Sequence, residues 1–405
     1  MSIIVQKFGG TSVGSPERIL NVARRAIASG HQYDHVVIVV SAMGDSTDDL
    51  IALAKHISPT PSPREYDALI STGENVSAAL VAMAIDALGA KAVSLTGSQA
   101  GIKTENIHNK AKIITVDTRR ILHELSLGNI VIVTGFQGYN DAHDVTTIGR
   151  GGSDTSAVVL AAALGAPVCE IYTDVDGVYT TDPRVVSDAS KLSEISYDEM
   201  LELASLGAKV LHPRSVECAK ENGIVLHVRS SFSDALGTLV KEDDKMEVQR
   251  SVTGVAASTD EAIISVEQIP DQPGYAGQLF TELANASINV DMIIQSAQDN
   301  GTNTISFTVQ EDDLAQARQI SEKAASHMGA KSVKIASEIA KVSIVGVGMI
   351  SKPGIAARMF RVLGQNGINL KLISTSEIKI SCAVTRADSI RAVQLLHHEF
   401  GLATL

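Results

Sequence analysis

Short, continuous apolar runs alternate with helical stretches through the first 240 residues, and this alternation restricts the fold more than any other feature. The clearest runs lie at residues 36–40, 92–95, 130–133 and 168–172. Strands that are apolar on both faces and separated by helices are typical of a mainly parallel sheet covered on both sides. Ligands of such sheets gather at the carboxyl ends of the strands. We therefore predict an α/β domain with its ligand site at that edge.

A glycine turn follows the first apolar run. Ile3-Ile4-Val5 leads into Lys7-Phe8-Gly9-Gly10-Thr11-Ser12, and a helical pattern begins near Pro16. Two glycines let the backbone approach a ligand closely, while Lys7 and the helix N-terminus supply positive charge. This combination suits a polyphosphate, although the G-x-x-x-x-G-K-[ST] spacing of the usual phosphate loop is absent. The alternative is a plain strand-to-helix turn with a solvated lysine.

A second glycine-rich segment precedes an alanine-rich helical stretch and reads Gly149-Arg150-Gly151-Gly152-Ser153-Asp154-Thr155-Ser156. Ser153 and Asp154 are candidate N-caps for that helix. Arg150 is the residue type suited to bidentate binding of a carboxylate. Glycine turns that carry lysine, arginine and aspartate together indicate a site for an anionic substrate and a nucleotide.

Charge and cysteine usage exclude several classes of protein. The chain has 405 residues and a formal net charge of −12, which disfavours nucleic acid or an anionic membrane as the main partner. We expect no apolar run long enough to span a bilayer. The three cysteines show no CxxC spacing, which favours reduced thiols in a cytoplasmic protein.

The last 155 residues contain an internal repeat after a charged segment at residues 241–250, which we interpret as a linker. At an offset of 80, one set of residues in the first copy has an identical partner in the second: Pro273, Gly274, Ala276, Phe280, Leu283, Ile288, Asn289, Ile293 and Ser296. Each copy predicts a βαββαβ unit. The strand at residues 251–258 has no place in the first copy, so we expect it to complete the second.

Four motifs now occur in a fixed order: KFGGTSVG, RGGSDTSA, YTDVDGVYTTDPR and GAKVLHP. Together with the repeat, they resemble the aspartate kinases (aspartokinases) of the amino-acid kinase superfamily, which carry a C-terminal pair of ACT units. The resemblance implies a three-layer α/β sandwich with a mainly parallel central sheet over residues 1–240, a linker at 241–250, and two ferredoxin-like βαββαβ units. The first unit would cover about 259–338, and the second about 339–405 plus strand 251–258.

The resemblance also implies a reaction. Phosphoryl transfer from ATP to the β-carboxylate of L-aspartate would give 4-phospho-L-aspartate, the first step towards lysine, threonine and methionine. Lys7 would hold the β- and γ-phosphates, and Asp154 would orient Lys7 or organise the phosphates and Mg²⁺. The Mg²⁺ would be bound through ATP rather than by an identified protein site.

By the same resemblance, residues are assigned to the two substrates. Those for aspartate are Ser41, Thr47, Glu74, Arg150 and Ser153. Those for the nucleotide are Lys7, Gly9, Gly10, Ser12, Thr173, Asp174, Tyr179, Asp182, Arg184 and Lys209. Simpler roles stay open for three of them: Glu74 as a first-turn acid, Thr47 as a loop hydroxyl and Asp182 as a turn residue. For His212 we expect a structural role.

The ACT pair implies feedback control by lysine, threonine or both. Candidate effector residues are Asp271, Gly274, Ala276, Asn289, Asp291, Gln295, Ile355, Asn369, Ser374 and Thr375. Asn289 and Asn369 are alternatively turn formers. A homodimer is expected, or an α2β2 assembly whose smaller subunit starts at Met246. Competing hypotheses are a kinase for glutamate, N-acetylglutamate, carbamate or UMP, and a non-catalytic amino-acid sensor.

Overall fold

The computed structural model describes residues 2–207, 210–242, 250–298 and 301–403. The chain divides into two compact units. The N-terminal unit comprises Met1–Val178, Lys191–Ser205 and Lys209–Asp244, and the C-terminal unit comprises Tyr179–Ser190, Leu206–Ala208 and Lys245–Leu405. The predicted catalytic domain at 1–240 is therefore interrupted, because two of its segments group with the C-terminal unit. Most of the predicted linker lies outside the described residues.

The N-terminal unit is built around an eight-stranded sheet with the order β10-β12-β11-β9-β1-β2-β6-β3. Every neighbouring pair in it is parallel except β11 and β12. A smaller sheet has the order β5-β4-β7-β8. The strands are β1 (Ile3–Phe8), β2 (His35–Val40), β3 (Ala92–Leu95), β4 (Ile102–Thr104), β5 (Ile113–Val116), β6 (Ile130–Thr134), β7 (Gln137–Tyr139), β8 (Val145–Thr147), β9 (Val168–Thr173), β10 (Glu194–Ser196), β11 (Val225–Ser230) and β12 (Thr238–Lys241).

Helices cover both faces of the large sheet. They are α1 (Pro16–Ser29), α2 (Ser46–Ile57), α3 (Pro63–Ile70), α4 (Thr72–Ala87), α5 (Arg119–Ser126), α6 (Gly152–Leu164), α7 (Tyr197–Ser205) and α8 (Pro213–Asn222). Helices α1 and α4 share a core with Ile4, Phe8 and Ile38 of the sheet. Helix α6 packs on β1, β2 and β9 and also against α8. The predicted three-layer arrangement with a mainly parallel sheet is confirmed.

The stretch Pro63–Ala87 corrects the expectation that no apolar run is long enough to span a bilayer. Its 25 residues pass that test by length and composition. However, 56% of its most apolar window is buried inside the protein, as in a core helix. Ile85 is fully buried in the α1–α4 core, and Glu74 of the same stretch is only 3% exposed.

The C-terminal unit is built on one six-stranded sheet with the order β14-β15-β13-β16-β18-β17. Its strands are β13 (Gly254–Pro270), β14 (Ile293–Gln298), β15 (Thr302–Gln310), β16 (Ser332–Val345), β17 (Leu372–Thr375) and β18 (Lys379–Thr385). Its helices are α9 (Tyr275–Asn285), α10 (Leu314–Met328), α11 (Ile355–Gln365) and α12 (Ser389–Glu399). Helices α9 and α11 are offset by 80 residues, the offset of the sequence repeat. The described elements give the two predicted βαββαβ units.

Two long strands belong to both copies of the repeat. Residues 261–270 of β13 pair with β15 of the first copy, whereas residues 254–258 pair with residues 341–345 of β16. Residues 339–345 of β16 pair in turn with β18 of the second copy. The segment expected to complete the second copy is thus the first part of a strand that continues into the first copy.

Each copy has its own apolar core. Leu283 and Ile288 are buried in the first, and Leu363 and Ile368 occupy the repeat-related positions in the second. A buried charge lies where the copies meet in the sheet: Lys341 of β16 is 4% exposed, and its ammonium lies 3.1 Å from the Glu261 carboxylate of β13. Pairing of this kind offsets the cost of burying either charge.

Phe307 of β15 is fully buried and packs edge-on against Phe280, with ring centroids 5.4 Å apart. We expect Phe307→Ala to reduce the free energy of unfolding of the C-terminal unit by about 3–5 kcal/mol, because it removes apolar contacts and leaves a cavity. Urea unfolding of the full chain measures this effect. The control Ile390→Ala removes a side chain that is 57% exposed, and we expect a change within about 0.5 kcal/mol. Equal losses in the two variants would contradict the assigned core.

Candidate active site

An ion pair joins the two glycine segments. The Lys7 ammonium, near the end of β1, lies 2.6 Å from the Asp154 carboxylate in the first turn of α6, and each side chain is 12% exposed. The alternative role of Ser153 or Asp154 as N-cap of α6 is not observed, because the N-cap is Gly151 in a left-handed conformation. Asp154 is therefore available to Lys7, and the two form a partly buried charged centre at the carboxyl end of the sheet.

The turn after β1 packs closely on the turn after β2. A Cβ on Gly10 would lie 2.8 Å from the carbonyl oxygen of Ala42, so only glycine fits there without a shift. The Gly44 N–H donates to the Gly10 carbonyl at 3.1 Å. A Cβ on Gly9 would lie 3.4 Å from the Lys7 ammonium, which shows that Lys7 lies over this turn.

Glu74, in the first turn of α4, is a buried carboxylate with one free oxygen. Its Oε1 accepts a hydrogen bond of 3.1 Å from the Ala42 N–H, whereas its buried Oε2 has no hydrogen-bond partner in the described part of the protein. Burial raises the pKa of Glu74 to about 7. A buried carboxylate with an unsatisfied oxygen is costly. This arrangement favours a cationic ligand group beside Glu74.

The other residues assigned to aspartate lie on the same edge of the N-terminal unit. The Ser41 N–H donates to the Phe8 carbonyl at 3.1 Å, so Ser41 lies beside the turn after β1. Half-buried Thr47 lies near Gly73, since a Cβ there would be 3.8 Å from its hydroxyl. Ser153 is 7% exposed and packs on Gly135, at the end of β6.

Arg150 lies between Gly149 and Gly151 and is exposed. It forms no ion pair with any residue that the structure describes. Its guanidinium is therefore available to a ligand.

The residues assigned to the nucleotide divide between the units. Ser12 is buried and its hydroxyl hydrogen-bonds that of Ser231, while Thr173 and Asp174 lie at the carboxyl end of β9.

Tyr179, Asp182 and Arg184 belong instead to the C-terminal unit. There Asp182 pairs with Arg184 at 2.7 Å, and this guanidinium lowers the pKa of Asp182. Lys209 lies outside the described residues.

Sequence reasoning missed Asp67 of α3, which is completely buried. Its carboxylate accepts hydrogen bonds from the N–H and hydroxyl of Thr147, at 3.0 and 2.6 Å, and from the N–H of Asn109. His108 contacts it as well, at 2.9 Å. Asp67 thereby ties α3 to the end of β8, directly before the second glycine segment. An acid within an amphipathic helix gives no sequence signal for this role.

The effector candidates of the first copy partly line a cavity of about 350 Å³ in the C-terminal unit. Asp271, Gly274, Ala276 and Gln295 line it, but Asn289 and Asp291 do not. The Asp291 carboxylate pairs with Lys341.

In the second copy, Ile355 is buried, whereas Asn369 and Thr375 are exposed and Ser374 is half-buried. The turns before β14 and β17 use Ser287 and Gly367 as their left-handed residues, rather than Asn289 or Asn369.

Two family models match this chain. The amino acid kinase family matches residues 2–230, and an ACT domain matches residues 264–324 and 342–400. The partly buried Lys7–Asp154 pair beside glycine turns, together with the buried Glu74, thus lies in a kinase-type sandwich that precedes paired ACT units. This defines the class of protein: a kinase of small metabolites with an ACT region.

The individual relatives are more specific. An aspartokinase of Geobacillus stearothermophilus is 53% identical over 403 residues, which cover 100% of this chain and 98% of that protein. The structure of E. coli aspartokinase III in complex with aspartate and ADP (R-state) aligns with a TM-score of 0.83 at 26% identity, covering 99% of this chain and 100% of the other. The same enzyme with lysine and aspartate (T-state) aligns with a TM-score of 0.77 at 28% identity, covering 98% and 99%. The chain belongs to the aspartokinases of the amino acid kinase family, and is accordingly an ATP-dependent kinase of aspartate.

Glu74 makes the stability of the ligand-free protein depend on pH. Its folded pKa of about 7 exceeds the ordinary 4.5, so the folded state binds more protons between those values and loses stability as the pH rises through them. We expect Glu74→Gln to be stabilising, by an amount that grows by about 2 kcal/mol between pH 5 and pH 8. Urea unfolding at both pH values measures it. The exposed Glu65→Gln serves as the control, and a pH-independent effect of Glu74→Gln would contradict the assigned burial.

Proposed function

We propose that this aspartokinase transfers the γ-phosphoryl group of ATP to the β-carboxylate of L-aspartate and releases 4-phospho-L-aspartate and ADP. The observation that carries the assignment of the acceptor is Glu74. Its free buried oxygen lies beside the turn that packs on Gly10, and an α-ammonium is the group that would satisfy it. Arg150, on the neighbouring glycine segment, would bind the α-carboxylate and leave the β-carboxylate for reaction.

Lys7 and Asp154 would supply the catalytic electrostatics. The acceptor carboxylate is already an anion at neutral pH, so the reaction needs charge neutralisation and alignment rather than a strong base. The Lys7 ammonium would stabilise the charge that spreads over the transferring phosphoryl oxygens. Asp154 holds that ammonium at 2.6 Å, which fixes its position before substrates bind. The N–H groups of Gly9 and Gly10 would add neutral donors to the phosphates.

Magnesium is expected to arrive with ATP. In residues 2–207, 210–242, 250–298 and 301–403, no group of three or more His, Cys, Asp or Glu side chains is arranged for a metal ion. The carboxylate of Asp154 is nevertheless an oxygen donor of the type that Mg²⁺ prefers, and it lies where the phosphates would bind. Bound to the phosphates, the ion would neutralise their charge.

Regulation would act through the C-terminal unit. We propose that lysine, threonine or both bind at its ACT copies, with Asp271 and Gln295 lining the cavity of the first copy. A related enzyme 28% identical to this chain has been solved with lysine and aspartate, which supports an amino-acid effector. The enzyme would serve lysine, threonine and methionine synthesis in the cytoplasm. It would act as a homodimer, or as an α2β2 assembly with a subunit that starts at Met246, outside the described residues.

Acyl phosphate trapped by hydroxylamine tests the proposal. We expect ATP-dependent product with L-aspartate but not with glutamate, and inhibition by lysine or threonine.

Lys7→Met keeps an unbranched side chain but removes the charge, so we expect kcat to fall by about 10²–10³-fold. The control Lys91→Met changes an exposed lysine before β3, at the opposite edge of the sheet, and should retain activity. Turnover with another carboxylate but not with aspartate would mean that the acceptor is assigned wrongly. Folded protein that binds lysine but shows no turnover with any carboxylate would favour the sensor hypothesis.

The pH dependence of substrate binding tests Glu74. The α-ammonium pairs with the ionised carboxylate, whose pKa in the free enzyme is about 7. With ATP saturating, we expect the KM for aspartate to rise as the pH falls below 7, approaching about tenfold per pH unit. Glu74→Gln should give a high KM that no longer changes between pH 6 and 8. A wild-type KM that stays constant over this range would contradict the role of Glu74.

A further inference from the structure

The Ile148 carbonyl, directly after β8, accepts a hydrogen bond from a charged side chain of a distant helix. Nη1 of Arg214, in the first turn of α8, donates to it at 2.6 Å. Ile148 is fully buried, and its own N–H donates to the Phe136 carbonyl at 2.9 Å. Both backbone polar groups of Ile148 are therefore fixed immediately before the second glycine segment.

The turn that follows needs such a restraint. Gly149 and Gly151 have φ angles of 86° and 70° on either side of Arg150. Glycine reaches many backbone conformations at similar energy, so a glycine-flanked arginine is oriented poorly by its local sequence. The direction of the Arg150 side chain then depends on how the ends of the turn are held.

The segment that contains Arg214 contacts both ends. His212 precedes α8 as its N-cap, and its Nδ1 accepts from the Arg214 N–H at 3.3 Å. The His212 ring packs so closely on Gly151 that a Cβ there would lie 2.1 Å from Cγ of the ring. The guanidinium thus holds the start of the turn and the imidazole holds its end. Asp67 accepts its hydrogen bonds from Thr147 and Asn109, which lie outside the 148–152 turn.

We propose that Arg214 is a positioning residue: through the Ile148 carbonyl it fixes the 148–152 turn so that Arg150 is presented to the α-carboxylate of aspartate. This inference rests on the proposed function, in which Arg150 binds that carboxylate. Arg214 binds backbone and not substrate, so its loss should weaken aspartate binding without removing the phosphoryl-transfer groups Lys7 and Asp154.

Steady-state kinetics of Arg214→Gln and Arg214→Lys in the full chain provide the first test. For Arg214→Gln we expect the KM for aspartate to rise about tenfold, the effect of one lost hydrogen bond from a charged donor. The kcat and the KM for ATP should change less than about threefold, because a contact equal in the ground and transition states affects KM alone. Arg214→Lys retains a donor and should recover much of the loss. Arg24→Gln, on the exposed face of α1, is the matched control.

A double-mutant cycle with Arg150→Gln separates positioning from general stability. If Arg214 acts through Arg150, then Arg150→Gln/Arg214→Gln should have the same KM for aspartate as Arg150→Gln alone. Amide hydrogen exchange should accelerate at residues 149–152 in Arg214→Gln and stay unchanged in α1. Should Arg214→Gln fail to fold, the same cycle is run with Arg214→Lys, for which a smaller but equally non-additive increase is expected.

Three results would overturn the inference. Multiplicative effects in the cycle would mean that Arg214 does not act through Arg150. A parallel loss of kcat and of affinity for both substrates would identify a purely structural role. If Arg150→Gln alone leaves the KM for aspartate unchanged, the proposed function of Arg150 fails first, and the inference about Arg214 fails with it.

Discussion

The ion pair between Lys7 and Asp154 connects the two segments on which the site depends. It joins the end of a central strand to the first turn of the helix that covers that strand, with 2.6 Å between the charged atoms. Parallel strands bring their carboxyl ends to one edge, and the glycine turns there leave room for a ligand. The pair is only partly buried, so its charges are not isolated from incoming substrates. The same contact therefore supports the fold and, in the proposed reaction, would prepare the positive charge that phosphoryl transfer requires.

Glu74 is a buried acid whose Oε2 has no partner among the described residues, in contrast to the paired charges of Lys7 and Asp154. Its carboxylate is desolvated, no cation in the described part of the chain pairs with it, and burial raises its pKa to about 7. Ligand-free protein bears that cost, and a bound ammonium would relieve it. In the proposed complex, binding would therefore be strongest at the ammonium that identifies the substrate as an amino acid, whereas Lys7 is already paired in the ligand-free protein. The site consequently combines a satisfied cation with an unsatisfied anion.

Local sequence predicts the parts of this protein that depend on local chemistry. The apolar strands, both glycine turns and the 80-residue repeat were predictable because each is encoded in adjacent or regularly spaced residues. Local sequence left open whether Asp154 caps α6, and the structure shows that its carboxylate pairs with Lys7 while Gly151 is the N-cap. Asp67 and Arg214 gave no signal because each acts on backbone 80 or 66 residues away. Grouping of Tyr179–Ser190 with the C-terminal unit is likewise a result of packing.

The long strands β13 and β16 determine where a separately encoded regulatory region could begin. Since residues 254–258 pair with the second copy while residues 261–270 pair with the first, neither copy can be excised with a complete sheet. A gene that encodes the regulatory region alone must therefore start upstream of residue 254 and continue through both copies. An internal start at Met246 satisfies this condition, whereas one inside β13 would leave the second copy with an open edge. The two ACT copies must therefore be encoded and inherited together.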